Sequence, residues 1–385
     1  MVRQPKTLSA ASTLLAALVA VSLVLCSCRP APVVPRTIAG DELETFCDEF
    51  FPAHMEELRI PGLTFVAVQD GETLLTKGYG HASIEEDRAG DPETTVFRIG
   101  SISKVLVAVA VMQLVEKRQI DLQADVNGYL TALQVDNPYS KHLTLEHVLT
   151  HTGGIEDPPY ESHTDASSRV PLGQFLAEEL PSITSRPGKK FQYSSYGYAL
   201  AAYVVEEISG LSFDVCAEQN IFQPLGTDST DYLLAPPAPE GTATGYATRD
   251  GTYVAEPLDY DDDHPGGSII STAPYMAILI AALLGDGCYG DACVLEATTL
   301  ADMRLPRVRM GSRDLRQALG LVEGQVEGQK VLGHTGAIRG FGATLDMFPE
   351  QGVGYFFALN AECWNSSACV IISQFRQAFA ERFLR

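Results

Sequence analysis

Val96-Phe-Arg-Ile-Gly-Ser101-Ile-Ser-Lys104 is the stretch that decides the reading of this chain. Val96 to Ile99 is β-branched and aromatic, as strands prefer, and Gly100 passes the chain into a run from Ser101 to about Arg118 that is helical in composition. A serine in the first turn of a helix lies beside backbone amides that have no intrahelical acceptor, and a lysine three residues on returns to the same face. Ser101 and Lys104 can then touch. A serine hydroxyl is a weak nucleophile until a neighbouring base takes its proton, and a lysine whose charge is disfavoured by burial can serve or assist. Alone, the Ser-x-x-Lys tetrad arises by chance in many chains and usually marks a helix start.

Outward from that turn, the two ends of the chain are alike. Asp41 to Leu58 carries Leu43, Phe46, Phe50 and Met55 at helical spacing and stops at Pro61-Gly62. Leu63 to Val68 reads as a strand, Asp70-Gly71 as a hairpin turn and Thr73 to Gly80 as the returning strand. Beyond Gly266 the pattern predicts a helix over Ala273 to Leu284, strands over Gly340 to Phe348 and Val353 to Asn360, and a last amphipathic helix over Cys369 to Phe383. Helical segments at Leu172 to Leu180, Tyr198 to Ser209 and Phe213 to Phe222 fill the middle. This order predicts an α+β fold whose central antiparallel sheet is built from both ends, about residues 41–100 and 265–385, around a mostly helical region, about residues 101–264.

The chain has 385 residues, 45% hydrophobic and 20% charged, which is globular composition with enough length to bury an enclosed site. Its 27 Lys and Arg against 49 Asp and Glu give a net charge of −22, so nucleic acid and anionic lipid surfaces are poor partners. The single acidic run, Asp259-Tyr-Asp-Asp-Asp263, lacks calcium-loop spacing and reads as a solvated loop. Arg3 and Lys6 before the uncharged stretch Leu8 to Leu25 read as a bacterial export signal. Leu25-Cys26-Ser27-Cys28 resembles the lipobox of bacterial lipoproteins, with Cys28 as the lipidated residue. Residues 1–28 would be the signal with its lipobox, 29–40 a Pro-rich tether and 41–385 the catalytic body, exported to the cell envelope and facing the periplasm or the outside. An ordinary cleaved signal or an uncleaved anchor fits the same stretch.

Six cysteines remain beyond Cys28, an even number in an oxidising compartment. Short loops suggest Cys288 with Cys293 and Cys363 with Cys369, which leaves Cys47 with Cys216; buried free thiols are the other reading. His147 and His151 stand four apart, yet neither they nor the cysteines have the companions of a metal site, and no cofactor is expected.

Two further motifs follow the tetrad in order: Tyr193-Ser-Ser195 within Pro187-Gly188-Lys-Lys-Phe191-Gln-Tyr193-Ser-Ser195-Tyr-Gly197-Tyr198, and His334-Thr335-Gly336-Ala337 entering a strand. With Leu145-Glu-His-Val-Leu-Thr-His-Thr-Gly-Gly154, Pro224-Leu-Gly226 and Gly266-Gly-Ser-Ile-Ile-Ser-Thr272, they resemble the β-lactamase-related serine hydrolases. That family includes class C β-lactamases, D-alanyl-D-alanine carboxypeptidases, other penicillin-binding proteins, D-aminopeptidases and β-lactamase-like esterases. The resemblance runs from about Leu58 to the C-terminus. It implies the β-lactamase/D,D-peptidase architecture and an acyl-enzyme mechanism, with Ser101 as nucleophile and Tyr193 and Lys104 handling its proton. Backbone amides of Ser101 and Ala337 would hold the oxyanion. Ser195, His334, Thr335 and Gly336 would line the substrate.

Two residues depart from the family pattern. Ser195 replaces the usual asparagine of the second motif, so its shorter side chain reaches a substrate amide only through water or a shifted loop. His334 stands where a lysine is common, which removes a fixed positive charge for a substrate carboxylate. Both departures lean toward ester or uncharged amide substrates, within an exported serine hydrolase of esterase, D-amino acid peptidase or β-lactamase type; a peptidoglycan-derived peptide is the other expected substrate. The competing reading is a catalytically silent envelope lipoprotein that binds peptidoglycan fragments or a partner through the same cleft.

Overall fold

The computed structural model of the chain describes residues 36–158, 162–164, 170–179, 182–227, 229–261, 264–311, 314–364 and 366–385. The export signal, Cys28 and residues 29–35 of the tether lie outside the described residues.

The body begins with helix α1 (Gly40–Leu58), which ends where Arg59 turns to a positive φ ahead of Pro61. Strands β1 (Gly62–Gln69) and β2 (Glu72–Ser83) follow as a hairpin. Asp70 and Gly71 both take positive φ, 52° and 84°, the mirror-image turn whose twist matches paired strands. A short β3 (Arg88–Ala89) completes this edge. Near the other end come β4 (Val308–Arg309), β5 (Arg316–Gln317), β6 (Val322–Val326), β7 (Gln329–Ile338), β8 (Phe341–Phe348) and β9 (Val353–Leu359). All nine form one antiparallel sheet in the order β4-β5-β6-β7-β8-β9-β1-β2-β3. The N-terminal hairpin docks on the C-terminal strand, with Phe65 opposite Phe357.

β1, β8 and β9 are buried along their whole length because helices cover both faces. On one face Phe65, Tyr355 and Phe357 pack with Phe51 of α1 and Phe375 of helix α5 (Val370–Phe383). Asp346 ties α5 down by accepting two 2.9 Å hydrogen bonds from Arg376 and one from the Tyr355 hydroxyl. On the other face Val66, Leu345 and Phe356 pack with α4 (Ala273–Leu284) and with the two long helices of the middle region, α2 (Ser103–Glu116) and α3 (Ser195–Ser209).

Several expectations are corrected. Cys288 with Cys293 and Cys363 with Cys369 are disulfides, but Cys47 and Cys216 are free and buried. Cys47 belongs to the core on the α1 face of the sheet and Cys216 to the core on the opposite face, so no bond can join them. The strand expected over Val96 to Ile99 shrinks to Phe97–Arg98, which pairs with Ile269–Ser271. The helix expected over Phe213 to Phe222 changes winding after Ala217. Asp259, read as part of a solvated run, is fully buried between Arg98 and Arg339.

Candidate active site

Ser101 lies in a single tight turn, Gly100–Ile102, that feeds α2. Gly100 has a φ of 53°, and a side chain there would meet the backbone nitrogen of Ala337 at 2.9 Å. The Ser103 hydroxyl closes the turn by donating to the Gly100 carbonyl at 2.7 Å. Lys104, one turn on and 1% exposed, points back at Ser101: its Nζ lies 3.2 Å from the Ser101 Oγ and donates to the Gly266 carbonyl oxygen at 2.8 Å. The same Nζ sits 5.1 Å from the centre of the Tyr193 ring and 5.8 Å from that of Tyr198.

The third motif comes from the centre of the sheet. β7 pairs with β8 through Ile338 but with β6 only up to Gly333, which leaves one edge of His334–Ile338 without a strand partner among the described residues. The turn carrying Ser101 lies against that edge. A Cβ on Gly336 would stand 1.9 Å from the Ile99 carbonyl oxygen and 3.2 Å from the Ser101 nitrogen, so only glycine permits the approach. The backbones of Ser101 and Ala337 thereby face one another, an arrangement that can offer two amides to one oxygen. Thr335 is exposed along the edge, and His334 is buried beneath it.

His334 Nδ1 donates to the Thr335 carbonyl at 2.6 Å, so a neutral ring keeps its lone pair on Nε2. Burial, then the nearby Lys104, pushes its pKa down to about 4. His151 is depressed in the same direction by burial, Lys104 and His334. Lys104 is thus flanked by two imidazoles held neutral at pH 7, and the Tyr198 phenol, pushed well up by burial, donates to the Leu149 carbonyl at 2.7 Å.

Tyr193 sits just before α3, 42% exposed, with its ring stacked on His151 at 4.2 Å between centroids. Ser194 caps the helix by accepting from the Gly197 nitrogen at 2.9 Å. Ser195 is the first residue of α3; its nitrogen donates to Asp157, and its hydroxyl makes no hydrogen bond to a described residue. The structure therefore brings Ser101, Lys104, Tyr193, His334 and the Gly336-Ala337 backbone together.

Two participants escaped the sequence reading. His151 stood out only as a metal candidate with His147; the two part company, because His147 closes a capping box with Thr144 while His151 underlies Tyr193. Among the described residues no metal-holding group of His, Cys, Asp or Glu occurs. Asp157 gave no signal, because it serves a helix start nearly forty residues away that local capping rules do not reach.

Comparison with known proteins gives the family and the fold. The family described as Beta-lactamase matches residues 47–373. The chain is 27% identical over 241 residues to PbpX of Bacillus subtilis (strain 168), a penicillin-binding protein by name, a match covering 62% of this chain and 58% of that one. The chain spans about half the length of the curated relatives it matches. The octameric penicillin-binding protein homologue from Pyrococcus abyssi superposes with a TM-score of 0.73 at 22% identity, covering 90% of this chain and 77% of the other. A D-stereospecific amidohydrolase from Streptomyces sp. superposes with a TM-score of 0.69 at 22% identity, covering 86% and 96%. The fold and the match across most of its length give one conclusion: this chain belongs to the beta-lactamase family, among the β-lactamase-related serine hydrolases.

Proposed function

We propose that the chain is an exported, lipid-anchored serine hydrolase that forms an acyl-enzyme on Ser101 from ester or uncharged amide substrates. The observation that carries this reading is the 3.2 Å approach of the buried Lys104 amino group to the Ser101 hydroxyl, beside Tyr193. The Ser101 Oγ attacks the substrate carbonyl carbon while its proton passes to the Tyr193–Lys104 pair. The backbone amides of Ser101 and Ala337 receive the oxyanion, and the same pair returns the proton to the departing alcohol or amine. Water then cleaves the acyl ester and regenerates Ser101.

The leaning toward uncharged substrates is supported by the neutral His334 and by the short side chain at Ser195. Uncharged amides of D-amino acids offer the same class of carbonyl; cell-wall peptides do too, but their carboxylates would meet no fixed cation at His334. Export and anchoring through Cys28 rest on the sequence of residues 1–28. The test is turnover of a p-nitrophenyl acyl ester by the intact protein and by Ser101→Ala. The variant should fold with the same melting curve and show no turnover, whereas normal turnover would sink the assignment.

A further inference from the structure

We propose that Asp157 is a positioning residue for Tyr193, acting through the backbone that carries it; this rests on the role proposed above for Tyr193. Asp157 belongs to none of the three motifs. Its carboxylate nevertheless accepts three hydrogen bonds from the second one: from the Ser194 hydroxyl at 2.6 Å, the Ser195 nitrogen at 2.9 Å and the Tyr196 nitrogen at 3.0 Å. A serine at the cap position already satisfies one free amide of the helix start, and Ser194 does so toward Gly197. The carboxylate adds a long-range tie that a cap alone does not require, and a negative charge there is favoured by the helix dipole.

The same loop grips the motif from its other side. His151, six residues before Asp157, accepts a 3.1 Å hydrogen bond at Nδ1 from the Ser194 nitrogen and lays its ring against Tyr193, with 26° between the planes. With Nδ1 accepting, the proton of the neutral ring is on Nε2, which is buried and has no hydrogen-bond partner among the described residues. Tyr193 has no such anchor of its own. Its hydroxyl makes no hydrogen bond to a described residue, so the direction of the phenol is set by the stack below it and by the peptide after it. Asp157 fixes that peptide. Without it, residues 193–196 turn on the cap, the phenol moves relative to Lys104 and Ser101, and a displacement of about 1 Å at a reacting group costs up to about a hundredfold in rate.

The experiment compares Asp157→Ala, the isosteric Asp157→Asn, Tyr193→Phe and the double variant Asp157→Ala/Tyr193→Phe in the intact protein. Each is measured for kcat and KM on a p-nitrophenyl acyl ester, for the rate of Ser101 phosphonylation by a fluorophosphonate, and for melting temperature. Asp157→Ala should lower kcat per phosphonylated site roughly tenfold to a hundredfold with KM little changed, and Asp157→Asn should recover part of it. In the Tyr193→Phe background the Asp157 change should no longer slow phosphonylation, because the group it positions is gone. A lower melting temperature with normal kcat per phosphonylated site would overturn the inference and leave a plain helix cap. An equal effect of Asp157→Ala in both backgrounds would overturn it as well. If Asp157→Ala does not fold, the isosteric variant carries the same comparison. Full activity in Tyr193→Phe would instead remove the proposed role of Tyr193, and the inference with it.

Discussion

The amino group of Lys104 reaches the hydroxyl of Ser101 at 3.2 Å from inside the protein, where 1% of the lysine is exposed. Among the described residues the lysine has two hydrogen-bond acceptors in reach, Ser101 and the Gly266 carbonyl. On the mechanism proposed above, such a lysine contributes proton transfer and field at Ser101. On the proposed mechanism, Lys104→Met should lower kcat on a neutral ester by about 10² to 10⁴ without loss of the native circular dichroism spectrum. A loss of less than a few-fold would show that Ser101 is activated by another group.

His334 gives a prediction with a definite sign. Its pKa is about 4 in the folded protein, below the ordinary value of about 6.5, so the unfolded chain binds the proton first. The stability contributed by neutral His334 is present above about pH 6.5 and is lost as the pH falls toward 4, an effect of about 3 kcal/mol at the lower end. His151 adds to the loss in the same direction. Melting temperature should therefore drop between pH 6.5 and 4.5 by less in His334→Gln than in the parent protein. Imidazole NMR shifts of His334 should stay those of a neutral ring at pH 5.5; an inflection near 6.5 would contradict the assignment.

The same residue bears on the substrate. His334→Lys places a cation beside the edge of residues 334–338 that lacks a strand partner among the described residues, where an anionic ligand gains a charge-assisted hydrogen bond. Acylation by a penicillin, which carries a carboxylate, should rise roughly tenfold relative to acylation by a neutral ester. Unchanged relative rates would show that the charge at this position does not select the substrate.

Asp259 joins the turn that carries Ser101 to the third motif. It is fully buried, pairs with Arg98 three residues before Ser101, and pairs at 3.2 Å with Arg339, two residues after Ala337. Asp259→Ala leaves the buried Arg98 without this carboxylate and should cost about 3 to 5 kcal/mol in denaturant unfolding. A change below about 1 kcal/mol would mean that the two guanidinium groups find other anions.

Thiol chemistry checks the cysteine assignment. Alkylation of the unfolded, unreduced protein should modify Cys47 and Cys216 and spare Cys288, Cys293, Cys363 and Cys369. In the folded state both thiols should be unreactive, because burial pushes the Cys47 and Cys216 pKa values up. A Cys47–Cys216 bond found by mass would overturn the separation of the two cores.

Elements whose signals are local could be read before the structure. The hairpin turn at Asp70-Gly71 and the helix over Ala273–Leu284 lie where their residues place them, because a turn or an apolar run declares itself within a few positions. Residues of the three motifs lie close together around Lys104 and Ser101. What stayed hidden depends on distance along the chain. Counting along the sequence pairs Cys47 with Cys216, and only the sheet between them separates them. Asp259 looked like a solvated charge because nothing near it in sequence shows the two arginines that enclose it. Asp157 was silent for the same reason: its three donors begin 37 residues later.

The most direct test is the intact mass of the protein after brief exposure to a fluorophosphonate and, separately, to a p-nitrophenyl acyl ester. The account predicts a single adduct of each reagent, mapped to Ser101 and absent in Ser101→Ala, with the acyl adduct lost over time as water cleaves it. Folded protein that takes up neither reagent would contradict it and point to a cleft that binds without reacting.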